Sequence, residues 1–149
     1  MTSPPDPPPG PTDAAEERAI RAAHAAFYAA FETGDLDAMN ELWVEDDSAL
    51  CVHPGTTPVQ GVSAVRRAWA VIMATTPYIQ FILTDIDVRV RGEVAYVTCV
   101  ENVLAGDHDD PDLRSGLAIA THVMLRTVEG WRLWVRHASP VVSETDHEN

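Results

Sequence analysis

Two side chains in this sequence stand where they could handle a proton. His53 ends the short apolar run Ala49-Leu50-Cys51-Val52 and directly precedes Pro54-Gly55. Proline keeps the residue before it extended, and glycine lets the chain turn away. An imidazole titrates near ~6.5, so one held there and facing a cavity can accept or donate a proton at neutral pH. Glu101 interrupts an otherwise apolar strand pattern. It is a candidate to orient a histidine or to charge a pocket, and equally to pair with Arg126 or Arg136 across a sheet. Cys51 and Cys99 are too few and too far apart for a disulfide framework or a zinc site, and they read as buried free thiols. The acidic stretch 107–112 lacks the ordered oxygen spacing of a calcium loop and reads as a solvated hairpin loop, so no metal is expected.

The elements that must position these groups fall into two halves. In the first, Asp13 and Glu16 resemble a capping box. Ile20, Ala23, Phe27 and Phe31 then recur at helical spacing, with His24 near the same stripe. Gly34 fits a left-handed stop, and Asp35 can cap a second, short helix carrying Leu36, Met39, Leu42 and Trp43. Val65, Trp69, Ile72 and Met73 mark a third amphipathic helix, ended by Pro77. In the second half the period changes to two. Residues 79–90 place Ile82, Ile86, Val88 and Val90 on one parity, and Arg91-Gly92 is a turn signal. Residues 93–104, 115–127 and 131–141 complete a meander, the last two joined at Glu129-Gly130. Helices followed by hairpins imply an α+β domain with three N-terminal helices packed on one face of a curved antiparallel sheet. A sheet curled around helices leaves a conical space suited to a small molecule.

Composition narrows the partners. The chain has 149 residues, enough for one domain with a real core. Its formal net charge is −13, and all ten basic residues are arginine. Such a balance repels nucleic acid and anionic membranes. No apolar run approaches the roughly 20 residues of a membrane span. The stretch from Met1 to Gly10 lacks the order of a signal peptide, so a cytoplasmic protein is expected. Residues 1–12, rich in proline, read as a disordered arm, 13–142 as the domain, and 143–149 as a flexible tail.

The order helix, helix, short strand, helix, long meander resembles the nuclear transport factor two-like superfamily, especially its SnoaL-like and ketosteroid isomerase-like members. The residues that carry the resemblance are Gly34-Asp35-Leu36-Asp37, Asp46-Asp47, His53-Pro54-Gly55, Gly61, Trp69 and His137-Ala138-Ser139-Pro140. The resemblance implies a cone-shaped domain with an apolar pocket. In ketosteroid isomerases the general base is a carboxylate just before a proline, and His53 takes that place. Counting back from Gly34, the tyrosine donor's place falls on Phe27, with Tyr28 next door. Counting back from Gly130, the place of the late-strand carboxylic acid falls on His122. One donor is lost and two carboxylates have become histidines. That departure argues against steroid isomerisation and towards the SnoaL-like group, whose acid–base residues vary.

The resulting expectation is a cofactor-free site with His53 as base and His122 as the acid or polarising group. Phe27, Trp43, Trp69, Met73, Glu101 and Ala120 are the expected ligand contacts. Ala118, Ala120 and Met124 share the parity of His122, and small residues there leave room above the sheet or accommodate a packed helix. The expected ligand is a small apolar or carbonyl-containing, polyketide-like molecule. Alternatives are a non-catalytic binding protein using the same pocket, and a dimerisation module without ligand. Trp131 and Trp134 point to opposite faces by parity. One apolar ring on the outer face argues for a homodimer packed sheet to sheet, the common arrangement in the superfamily. His137 shares the parity of Leu133 and Val135 and belongs either to that interface or to the cavity.

Overall fold

The computed structural model describes residues 3–4, 11–106 and 112–142. Most of the expected proline-rich arm, the tail 143–149 and residues 107–111 of the acidic loop lie outside the described residues. Helix α1 spans Pro11–Thr33. Proline suits a first turn because its missing N–H has no intrahelical partner there. Asp13 consequently lies inside the first turn, where the sequence had suggested the cap. Ile20, His24, Phe27 and Tyr28 form the buried stripe. Gly34 stops the helix with φ of 67°. The Gly34 and Asp35 amides donate to the carbonyls of Phe31 and Ala30 at 3.2 and 2.9 Å. The Asp35 carboxylate then accepts from the Ala38 amide at 3.0 Å, capping α2 (Leu36–Glu41).

Two short strands follow, β1 (Leu50–Val52) and β2 (Val59–Gln60), then α3 (Val62–Thr75). The long strands are β3 (Tyr78–Arg91), β4 (Val94–Gly106), β5 (Arg114–Thr127) and β6 (Gly130–Pro140). They join in one six-stranded sheet of order β2-β1-β6-β5-β4-β3. β3 to β6 form the expected antiparallel meander. β1 pairs parallel with β6, with Leu50 opposite Val135, Cys51 opposite Arg136 and Val52 opposite His137, and β2 forms the edge beyond it. The helices cover the inner face, and Phe27, Met39, Trp43, Val65, Trp69, Met124 and Leu133 fill the core between them.

Two bulges bend the sheet and change which side chains face inward. In β3 the register shifts between Thr84 and Asp87, and Asp85 takes a φ of 55°. Ile82 is therefore 69% exposed while Val88 is buried, although parity placed them on one face. The second shift lies at Val123/Met124, which skips Trp134 in β6. Beyond it the parity reverses. Leu133 and Arg136 are both buried on the inner face, and His137 is exposed. This corrects the expectation for the tryptophans. Trp131 and Trp134 are both partly buried against the core, and Trp134 Nε1 donates to Ser48 Oγ at 2.9 Å. The exposed apolar side chains on the outer face are instead Ile82, Tyr96, Leu117 and Ile119.

Phe27 has no exposed surface, and its ring lies edge-on to Trp69 and His122 at 5.3 and 4.7 Å between centroids. Phe27→Ala is expected to cost about 3–5 kcal/mol in urea denaturation, because the surrounding rings cannot collapse into the space. A cost below about 1 kcal/mol would show that this cluster is not the rigid centre of the domain.

Candidate functional site

The inner face of the sheet carries a buried polar cluster. Glu101 and Arg136 are 1% and 2% exposed. Arg136 Nη1 donates to Glu101 Oε2 at 2.8 Å and Nη2 to Oε1 at 3.4 Å. The Tyr28 hydroxyl donates to the same Oε2 at 2.6 Å. Arg136 Nη1 also donates to His122 Nε2 at 2.8 Å. Arginine has no acceptor, so His122 must accept through Nε2 and carry its proton on Nδ1, which finds no partner among the described residues. Register explains the reach. Arg136 sits opposite His122, and Glu101 lies opposite Ala118 on the next strand. The short side chains of Ala118, Ala120 and Ala138 leave the space the arginine needs to cross to Glu101.

A cavity of about 210 Å³ opens onto this cluster. Phe31, Ile72, Ile79, Phe81 and Val103 give it apolar walls, and Glu101, Arg136 and His53 supply its polar groups, with Pro54 beside them. Pro54 is exposed and marks the mouth; the buried Glu101–Arg136 pair forms the floor. His53 reaches the cavity because β1 runs parallel to β6 and ends beside Arg136 and His137. Its backbone carbonyl accepts from the Thr56 amide at 3.1 Å in the turn, and Gly55 turns the chain with φ of 77°. Its ring stands edge-on to Trp69 at 4.9 Å, and its Nε2 lies 3.5 Å from Cys51 Sγ. A larger open groove of about 800 Å³ lies along the start of α1, between Glu16, Glu17, Arg89 and Arg126. None of the buried polar cluster lines it.

Electrostatics keep the imidazoles neutral. Burial, helped by the Arg136 charge, pushes His53 down to about 4. Burial and Arg136 likewise hold His24 at about 4, against a smaller opposing pull from Glu101. Burial, then Arg136, then His24 hold His122 well below its ordinary value. Burial pushes the Cys51 thiol up to about 12, so it stays protonated and can donate weakly to His53. Burial also raises Tyr28, which keeps its hydroxyl proton for Glu101. Burial works against the Arg136 charge, but the Glu101 carboxylate outweighs it and holds the guanidinium protonated.

The residues singled out by sequence are distributed as follows. His53 and Glu101 line one cavity. His122 is fully buried behind Arg136 and is not among the lining residues. Phe27 and Trp69 form the layer beneath; Phe27 lies against the Arg136 guanidinium at 4.7 Å. Ala120 lies under the arginine side chain, on the floor of the cluster rather than on the cavity wall. Trp43 is buried in the core and bridges to Leu133. On α3 it is Ile72, not Met73, that lines the cavity. Two polar residues were under-read: Arg136, seen only as a cross-sheet partner, and Tyr28, seen only as the neighbour of Phe27. The Tyr28 hydroxyl is buried beside Phe27 and donates to Glu101, and Tyr28 is not among the residues lining the cavity. Among the described residues, no three His, Cys, Asp or Glu side chains are grouped so as to hold a metal ion, and no helix is long and apolar enough to cross a membrane.

This fold is that of a known family. The SnoaL-like domain matches residues 20–143, and the chain belongs to that family, within the NTF2-like superfamily. A proposed dehydratase of the NTF2-like family from Streptomyces avermitilis is 41% identical, with a TM-score of 0.82 over 87% of this chain and 99% of that one. A proposed calcium/calmodulin-dependent protein kinase type II association domain from Thiobacillus denitrificans is 30% identical, with a TM-score of 0.68 over 82% of this chain and 94% of that one. A ketosteroid isomerase-like protein from Erwinia carotovora atroseptica shares the fold, with a TM-score of 0.72 at 15% identity over 86% and 98% of the two chains. No curated protein matches the chain.

The buried imidazoles make stability depend on pH. His24 titrates near ~6.5 when unfolded and at about 4 when folded. Between those values the unfolded chain binds more protons, so stability rises with pH. It is fully present above the unfolded value and is lost as pH falls towards 4. His53 and His122 act in the same direction. His24→Leu is expected to lose less stability than the parent between pH 7 and 4, by up to about 3 kcal/mol. Urea midpoints at the two pH values measure this; equal losses in both proteins would show that His24 is not held neutral.

Proposed function

We propose that this chain is a cofactor-free acid–base catalyst acting on a small carbonyl-containing molecule bound in the cavity. The observation that carries this reading is the convergence of His53, Glu101 and Arg136 on one apolar-walled space of about 210 Å³. Arginine has five N–H groups. Three point at Glu101 and His122, and the Nε atom is buried, so one Nη2–H remains for a substrate oxygen. His53 is neutral at neutral pH and so has a lone pair for a proton.

A reaction follows from this arrangement. The substrate carbonyl accepts a hydrogen bond from Arg136. His53 takes a proton from the adjacent carbon, and the electron pair moves to the oxygen, where the guanidinium stabilises the enolate. Burial and the Arg136 charge, which weaken His53 as a base, make the His53 imidazolium a strong acid. It can then return the proton to a β-hydroxyl, which leaves as water, or to another carbon. The 41% identical relative, described as a proposed dehydratase, supports the first outcome. His122 acts on Arg136 rather than on the substrate, by accepting one of its N–H groups. This moves the acid or polarising role expected of His122 to Arg136.

His53→Ala is expected to lower turnover about 10²–10⁴-fold on an identified substrate while leaving thermal unfolding unchanged. In the parent, kcat/KM is expected to fall as pH drops through about 4, where His53 becomes protonated. Unchanged turnover in the folded variant would end the His53-base reading and favour a binding protein that uses the same cavity.

The second part of the proposal concerns the outer face. Ile82, Tyr96, Leu117 and Ile119 are 69%, 44%, 45% and 44% exposed on the side of the sheet opposite the helices. Four large apolar side chains exposed on one sheet face mark an association face, and a second copy of the chain is the proposed occupant. Sedimentation equilibrium is expected to give a dimer in the parent and a folded monomer for Ile119→Asp. A monomeric parent at micromolar concentration would overturn it.

A further inference from the structure

We infer that Glu101 sets the charge selectivity of the cavity, making it a site for a compact, neutral ring compound with one hydrogen-bond acceptor and closing it to carboxylates. The inference rests on the reading of this cavity as the ligand site and adds which ligands it admits. A buried guanidinium is ordinarily a carboxylate receptor, because its fork matches two oxygens. Here the fork is already taken by Glu101, through Nη1 at 2.8 Å and Nη2 at 3.4 Å. The other titratable groups packed around the pair add no positive charge at neutral pH. His53, His24 and His122 are held neutral, and Tyr28, Cys51 and Cys99 keep their protons. A ligand carboxylate would therefore meet a floor of zero net charge whose exposed acceptor is another carboxylate. Two carboxylates in one desolvated space cannot both remain ionised without strain. The overall charge of −13 further disfavours an approaching anion. A neutral carbonyl or phenolic oxygen needs only one donor, and with Nε buried Arg136 keeps a single Nη2–H in reserve, which is no second fork.

Size restricts the class further. Cavities of about 150 Å³ hold benzene, and drug-sized ligands occupy about 300–1,000 Å³. At about 210 Å³ and a packing density near ~0.74, the space below the mouth suits roughly ten non-hydrogen atoms. That corresponds to one substituted ring or two fused rings.

Acetophenone, benzoate and benzamidinium have the same number of non-hydrogen atoms and differ in charge, so they separate the terms. Binding is followed at pH 7.5 by NMR perturbation of Ile72 and Ile79. The parent is expected to bind acetophenone at least about tenfold more tightly than benzoate. Glu101→Gln, which frees the Arg136 fork, is expected to reverse that order. Arg136→Gln, which leaves the Glu101 charge unpaired, is expected to gain benzamidinium instead. If one variant fails to fold, the parent ratio and the other variant still decide. Benzoate binding the parent as tightly as acetophenone, or ratios unmoved in a folded variant, would overturn the charge rule alone. Perturbation of neither isoleucine by any probe in any of the proteins would overturn the cavity reading, and the charge rule with it.

Discussion

The guanidinium of Arg136 and the carboxylate of Glu101 are buried against each other, and much of the interior serves to satisfy the hydrogen bonds of this pair. Removing two ions from water costs several kcal/mol each, and mutual attraction offsets that only with good geometry and further hydrogen bonds. Those bonds come from three elements. Tyr28 on α1 donates to Glu101, His122 on β5 accepts from Arg136, and the Phe27 ring covers the guanidinium face. Ala118, Ala120 and Ala138 give the arginine its path across the sheet. Each of these residues is ordinary in isolation. Their types make sense only as the surroundings of an ion pair.

The pair also sets the chemistry of its neighbours. Its positive end adds to burial in lowering His24, His53 and His122. Its negative end cancels the charge that would otherwise draw anions into the cavity. His53 therefore works beside a fixed positive charge on a floor that is neutral overall. That combination favours a neutral substrate that becomes negative only as it reacts, which is where electrostatic preorganisation is most effective. His122 shows the same logic from behind: an imidazole held neutral is a good acceptor for an arginine N–H and a poor acid.

The fold was legible in the sequence wherever a signal was local. Gly34 and Asp35 stop one helix and cap the next through bonds that span a few residues. Periodicity placed the α1 stripe and the meander strands, and His53 before Pro54-Gly55 was read correctly as the end of a short strand. Alternation failed at the bulges. One extra residue at Trp134 turns Arg136 inward and His137 outward, and another in β3 exposes Ile82 while burying Val88. A bulge is a property of paired strands, and a single strand's composition does not announce it.

The sequence by itself determined the class of domain, the stop of α1 and the cap of α2, the strand order of the meander and the presence of a titratable group beside a turn. Those follow from propensities and periods that act over a few residues. Only the tertiary structure decided that Glu101 pairs with Arg136 rather than Arg126, that Tyr28 donates to Glu101, that His122 stands behind the floor, and that β1 runs parallel to β6 and so delivers His53 to the cavity. These depend on register and on which residue a bulge skips. Both are settled by burial across elements far apart in the chain, where a shift of one residue exchanges the inner face for the outer.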